Sequence, residues 1–323
     1  MGKGKLEGQP VGRSYIGGIS FRLGRNGCIE DLFAEPPAGD GDIDFFRTRG
    51  LRNYFEQVEP LGTMCTSVVD ESLRKCSVDA DQLGAVVVDA EQWHCTSEDR
   101  IQLLESLDAC GISGVPVIGL DLQTCSGCLT ALSVADRLHR TDRERKPVLV
   151  LLCGRAAPGT SRVDFRRATI LSDGVASCVV SSTPGSFALL ASTTHTNLRM
   201  VRSGVAGEKA VVSVVRSHAD LAAVANRLYA LAEIHASQID ALLCTNGNLL
   251  YVTFAGRAAG VAEARIYTEN VAAYGHVFSC DHLINLATYA SFKPFLAGGK
   301  YLLIGWSPYV FGGAVLSYEG ASG

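Results

Sequence analysis

Two stretches of this chain repeat the same order of elements at one spacing, which constrains the fold more than any single motif. A helical pattern followed by QLGAVVVD matches a second helical pattern followed by QIDALLCT, so that Leu83 falls opposite Ile239. At the same offset, Cys125, which precedes a helical pattern from Ser126, falls opposite Asp281, which opens another. PVLVLLCG and KYLLIGWS follow those helices at nearly the same spacing. A duplicated βα unit whose halves pack together is the simplest account. Coincidence among generic βα segments is the alternative from spacing alone. The expected division is 1–204 and 205–323, with the joint near 204–209.

Between the repeats, short Val, Ile and Leu runs alternate with longer helical patterns, the rhythm of an α/β protein. Strands are expected at 84–89, 116–122, 147–153, 174–182 and 241–245, and in SFALLASTT, YLLIGWS and AVLSYE. Helices are expected at 66–76, 97–110, 126–140, 218–235 and 281–292. With 47% apolar and 19% charged residues, the chain can bury a large core. A net charge of -4 gives no global attraction to nucleic acid or anionic lipid. No run of about 18 apolar residues is present, so no membrane span is expected. The N-terminus lacks a signal-peptide apolar stretch, and Leu6 stands where a myristoylation motif wants Ser or Thr, so a cytoplasmic protein is expected. Eleven cysteines, an odd number in a long chain, fit a disulfide framework badly. Most are expected to be small buried hydrophobes.

The chemistry concentrates in GLDLQTCSGCLTALSVADRL. An apolar strand runs into Thr124-Cys125-Ser126-Gly127 and an amphipathic helix begins at once. A thiol at a helix N-terminus meets the positive end of the macrodipole and free N–H groups, which stabilise a thiolate. The Cys125 N–H can also face a thioester carbonyl as half of an oxyanion hole. The bland alternative is one more buried structural cysteine. Cys125 and Cys128 form a C-x-x-C pair, but no second pair or H-x₃₋₅-H completes a zinc set, and a redox pair is the remaining competitor.

TCSG followed by a helix resembles the nucleophile elbow of the β-ketoacyl-acyl-carrier-protein synthase III (KAS III) family of the thiolase superfamily. RTRGLR at 47–52 resembles its R-T-G-I-R stretch, LSDGVASCVV at 171–180 its G-D-G-A-G-A turn, and IGWSPYVFGGAVL at 304–316 its Gly-rich loop and last strand. The resemblance implies a thiolase fold, with duplicated βα halves forming a five-layered αβαβα sandwich, and a homodimer built by extending a sheet. The apolar strand at 174–182 and its neighbours are then the candidate dimer surface.

Departures from the family carry the functional reading. Where condensing members have the His of H-Q-A-N, this chain has Thr245, within Thr245-Asn246-Gly247-Asn248. Where they have the Asn of a later G-N, it has His276 after Gly275, and Asp281 stands five residues on. This resembles a branch of synthase III-like acyltransferases and starter-unit enzymes of antibiotic pathways, in which a G-H motif and that Asp join the nucleophile as a triad. The physical logic stands apart from the family. A thiol nucleophile needs a base, and an imidazole needs a carboxylate to fix its tautomer. The alternatives are a structural histidine and an ordinary helix N-cap. His282, turned away on its helix, and His94, at the end of a strand, are lesser candidates.

The resemblance places Ser307, Pro308 and Tyr309 at the oxyanion loop, which Trp306 opens, and Thr245 and Asn248 beside the substrate. No cofactor is implied. A Trp that stacks on coenzyme A in related synthases is Asp44 here, which favours an acyl carrier protein over CoA. Carrier proteins are acidic, so Arg137, Arg140, Arg143, Arg162, Arg166 and Arg167 are candidate docking residues, with solvated helix ends the alternative. The expected activity is transfer of an acyl group through Cys125 to a hydroxyl, amine or thiol, without decarboxylation. A decarboxylating starter-unit ketosynthase and a non-catalytic partner subunit are the rival readings.

Overall fold

A computed structural model describes residues 12–33, 40–90, 96–157, 159–163, 167–183, 185–201 and 208–320. In chain order its elements are β1 (Ser14–Leu23), β2 (Arg25–Cys28), α1 (Asp40–Arg47), β3 (Asn53–Glu56), α2 (Leu61–Cys76), β4 (Ala85–Ala90), α3 (Ser97–Ala109), β5 (Val117–Leu120), α4 (Gly127–Thr141) and β6 (Val148–Gly154). There follow β7 (Gly174–Ser181), β8 (Phe187–Thr196), α5 (Glu208–Ala232), β9 (Ile239–Cys244), α6 (Leu249–Ala259), α7 (Glu269–Tyr274), α8 (Asp281–Tyr289), β10 (Lys300–Trp306) and β11 (Val310–Tyr318).

The strands join in the order β5-β4-β6-β7-β1-β8-β11-β10-β9. Read outward from the β1–β8 seam, the order on one side mirrors that on the other: β7 answers β11, β6 answers β10, and β4 answers β9. The seam is short, pairing only Ser14–Ile16 with residues of β8, so two sheets meet there. The fifth position of the second sheet is marked by one parallel bridge, Leu242 to Ile266.

Alternation along the strands builds the layers. On β6, Val148, Val150 and Leu152 pack inward with α4 and α8, while Leu149, Leu151 and Cys153 face outward against α2 and α3. On β10, Tyr301 and Leu303 join the same inner core, while Leu302, Ile304 and Trp306 face α5 and α6. The result is α2/α3, sheet, α4/α8, sheet, α5/α6, the five-layered thiolase sandwich the sequence implied. Strands buried on both faces read as continuous apolar runs, which is why β4, β6 and β10 were visible as VVVD, VLVLLC and YLLIGW.

One expectation is corrected. Strand β7 is buried throughout between β6 and β1 and offers no surface. The free edge of the first sheet is β5, with Val117 exposed. No helix among the described residues is long and apolar enough to cross a membrane.

Candidate active site

Helices α4 and α8 form the inner layer, and their N-terminal ends bring the chemistry together. After β5 the chain tightens into a 3₁₀ turn, Thr124–Ser126, from which α4 springs. Thr124 takes a left-handed backbone, φ 47°, a strained conformation for a β-branched residue and one that collects at functional turns. The turn is pinned to the second sheet by Ser126, whose hydroxyl donates to the Gly305 carbonyl at 3.0 Å.

Opposite it, Gly275 also lies in the left-handed region, φ 63°, and a Cβ there would sit 2.9 Å from the Ile170 carbonyl. That tight bend stitches His276 into the frame, its N–H donating to Ile170 and its carbonyl accepting from Ser172. The imidazole is thereby fixed between the two helix ends. His276 Nε2 lies 3.1 Å from Cys125 Sγ, and His276 Nδ1 lies 2.6 Å from Asp281 Oδ2. Both His276 and Asp281 are buried. Asp281 Oδ2 also accepts the Asn246 N–H at 2.7 Å, and Oδ1 accepts the Val277 N–H at 2.7 Å. Three donors therefore hold the carboxylate, and the carboxylate sets the ring's orientation.

Burial opposes protonation of His276, but the Asp281 carboxylate, and after it the Cys125 sulfur, raise its pKa well above the usual value. The ring thus lies between a carboxylate and a sulfur that both favour its protonated form. His282 is different: its Nε2 donates to the Ile304 carbonyl at 3.1 Å, and burial lowers its pKa. It belongs to the packing of α8 on β10.

Cys128 lies in the first turn of α4, fully buried, its thiol pushed up first by burial and then by neighbouring thiols and carboxylates. Such a thiol is inert, and it does not pair with Cys125. Among the described residues, no cluster of three or more His, Cys, Asp or Glu could hold a metal ion.

The residues expected to surround the triad divide. Thr245 directly follows β9, with its hydroxyl buried and without a hydrogen-bond partner. It faces Gly305, where a Cβ would come within 2.9 Å of its Oγ1. Asn248 instead caps α6, accepting the Tyr251 N–H at 3.1 Å and donating to the Arg167 carbonyl at 3.3 Å. Ser307 and Pro308 form the tight β10–β11 turn. The Ser307 N–H is taken by the Val310 carbonyl at 2.8 Å, and proline has none to offer, so neither supplies an oxyanion donor through its backbone. Tyr309 ties that turn to β8 through its carbonyl, which accepts the Asn197 N–H. Sequence reasoning passed over Ser126 and Asn246. Only their positions beside Cys125 and Thr245 could have drawn attention to them.

The candidate docking arginines lie in separate places. Helix α4 begins beside the nucleophile, and Arg137 and Arg140 lie toward its far end, about 20 Å away at 1.5 Å per residue, with Arg143 just beyond it. Arg162 is spent on Asp173 at 2.8 Å and is 13% exposed. Arg167 stacks on Phe45, 4.0 Å from the ring centroid, beside Arg49. Arg166 and His94 lie outside the described residues.

Comparison with known proteins bears on the fold and the family. The family model for 3-oxoacyl-[acyl-carrier-protein] synthase III matches residues 120–198, the segment holding Cys125. No curated protein sequence matches the chain. Among solved structures, ChlB3, an acyltransferase, superposes with a TM-score of 0.83 at 18% identity, covering 95% of this chain and 98% of its own. The 3-oxoacyl-[acyl-carrier-protein] synthase III of Aquifex aeolicus gives 0.76 at 16% identity, covering 94% of this chain and 100% of its own. The priming β-ketosynthase of the R1128 polyketide pathway gives 0.75 at 17% identity, covering 95% and 97%. The fold is that of the thiolase-superfamily synthases, and the matched segment is consistent with a KAS III-like chain.

Proposed function

We propose that this chain is a KAS III-like acyltransferase that carries an acyl group on Cys125 and passes it to a hydroxyl, amine or thiol without decarboxylation. The observation that carries this reading is the Cys125–His276–Asp281 alignment, with contacts of 3.1 and 2.6 Å, next to a threonine at position 245.

The steps follow from the charges. In loading, the Cys125 thiolate attacks the carbonyl of an acyl-carrier-protein or coenzyme A thioester. The departing thiolate takes the proton from His276. The sulfur is now a neutral thioester, so one of the two anions raising the His276 pKa is gone. The imidazole becomes a better base for an acceptor. In transfer, His276 removes the acceptor's proton as the acceptor attacks the thioester, and the thiolate–imidazolium pair returns. Asp281 orients the ring in both steps.

The second reading is a decarboxylating starter-unit ketosynthase, favoured by the family-model match and the fold shared with a priming synthase. Incubation with acyl and malonyl carrier thioesters separates the two. Release of CO₂ with carbon–carbon bond formation supports the condensing reading. Acyl-Cys125 that discharges only to oxygen, nitrogen or sulfur acceptors supports acyl transfer.

A further inference from the structure

Behind Asp281 lies a buried polar network that the catalytic steps do not use directly. Its members, Asn246, Asn270 and Asn285, are 2%, 1% and 0% exposed. Asn285, on the second turn of α8, donates from Nδ2 to the Cys244 carbonyl at 2.9 Å and to Asn246 Oδ1 at 3.0 Å. Its Oδ1 accepts from Asn270 Nδ2 at 2.7 Å, and Asn270 in turn accepts from the Tyr267 hydroxyl at 3.0 Å. The backbone carbonyl of Cys244 can only accept, so it fixes which end of the Asn285 amide is the nitrogen. That choice then propagates to Asn246 and Asn270.

A buried amide is costly in an inner layer otherwise filled by Leu283, Ile284 and Leu286. The position it occupies accounts for the expense. The turn at 245–248 leaves β9 just where the sheet ladder ends, held by Thr245 N–H to Ile304 and Asn248 N–H to Ala168. Within the turn, the Gly247 N–H donates to the Thr245 carbonyl at 2.8 Å and the Thr169 hydroxyl to the Asn246 carbonyl at 2.9 Å, which fixes the peptides on either side of Asn246. The Asn285 amide adds the grip from α8, holding the turn at the Cys244 carbonyl and at the Asn246 side chain. The N–H between them then points at Asp281 Oδ2, 2.7 Å away.

We infer that Asn285 is a positioning residue for the acyl-transfer step. It holds the Asn246 N–H on Asp281, and through Asp281 it holds the orientation of His276. The inference rests on the acyltransferase reading of the site. The chemistry it serves is orientation of the general base toward the acceptor, because a displaced carboxylate lets the ring turn. Loading depends less on that orientation, since the departing thiolate meets an imidazolium already beside it.

The test is a double-mutant cycle on the full-length protein, with loading and transfer measured separately in single turnovers. Asn285→Leu should lower transfer by on the order of 10- to 100-fold, a loss typical of small misplacements of reacting groups, with the acceptor KM unchanged. In an Asp281→Asn background the same change should cost less than about twofold, because its effect runs through that carboxylate. Asn246→Ala, which keeps the backbone N–H but removes the anchored side chain, is the second variant and should behave alike should Asn285→Leu fail to fold. A loss of transfer undiminished in the Asp281→Asn background overturns the inference, as does an unaltered rate in both folded variants. If Asp281→Asn itself leaves transfer untouched, the fault lies with the acyltransferase reading instead.

Discussion

Nδ1 of His276 sits 2.6 Å from Oδ2 of Asp281, and the other nitrogen of the same ring faces Cys125 Sγ at 3.1 Å. One imidazole thus spans the N-terminal ends of the two inner helices, each contributed by a different half of the fold. The elements of the duplication supply unlike residues at equivalent places: a thiol before α4 and a carboxylate at the start of α8. The site is a product of the pseudo-symmetry as well as of the residues.

Cys125→Ala should abolish the acyl mass increment on the intact protein after exposure to an acyl thioester. Cys128→Ser should leave loading within about twofold, because that thiol is fully buried and its pKa raised. Peptide mapping that placed the acyl group on Cys128 would reverse the assignment.

The pH dependence of transfer should report His276. The base must be neutral to accept a proton, so transfer should rise with pH through the His276 pKa of the acyl-enzyme. Asp281 is the main cause raising that pKa. Asp281→Asn should therefore move the acidic limb to lower pH while reducing the plateau by about 10²–10⁴-fold, the range for a damaged general base. A limb that moved to higher pH would show that another group is titrating.

Gly127→Ala should destabilise the fold at the nucleophile turn. A Cβ there would lie 2.0 Å from Asp89 Oδ2, closer than any packing allows. Overpacking of this kind costs about 1–3 kcal/mol, which a calorimetric or circular-dichroism melt would read as a fall of several degrees in Tm. An unchanged melt would mean that Asp89 is free to move aside.

The protein should be a homodimer joined at the β5 edge. That edge carries Val117, 41% exposed; Leu122, just after the strand, is 58% exposed, and Ile101 and Leu104 of α3 are both at least half exposed. An unpaired strand with apolar neighbours is a template for pairing. Light scattering should give twice the chain mass at micromolar concentration, and Val117→Lys should shift the mass toward that of one chain. A monomer in the unaltered protein would contradict this.

Legibility from sequence differed by element for physical reasons. Strands buried on both faces announced themselves as apolar runs, and Asp281 and His276 stood close enough to be read as a pair. Their meeting with Cys125, 151 residues away, was legible only through the repeat and the family resemblance. Strand β1 was missed because Gly17-Gly18 and a register shift interrupt its alternation. Helix α6 was missed because its small-residue pattern is weak, although Asn248 and Gly260 are its caps. The same Asn248 was read as a substrate contact, since a cap and a polar site residue look alike in one dimension. The place of the arginines near 140 was not legible, because sequence shows a cluster of charge but not which end of a helix it occupies.

The central claim, that Cys125 holds the acyl group and His276 hands it on, is tested most directly by His276→Ala in a single turnover followed by intact mass. With donor thioester and acceptor both present, the variant should acquire one acyl increment on Cys125 and keep it. Loading should continue while discharge slows by about 10²–10⁴-fold. A variant that turns over at the rate of the unaltered protein, or that never acquires the increment while remaining folded, would contradict the account.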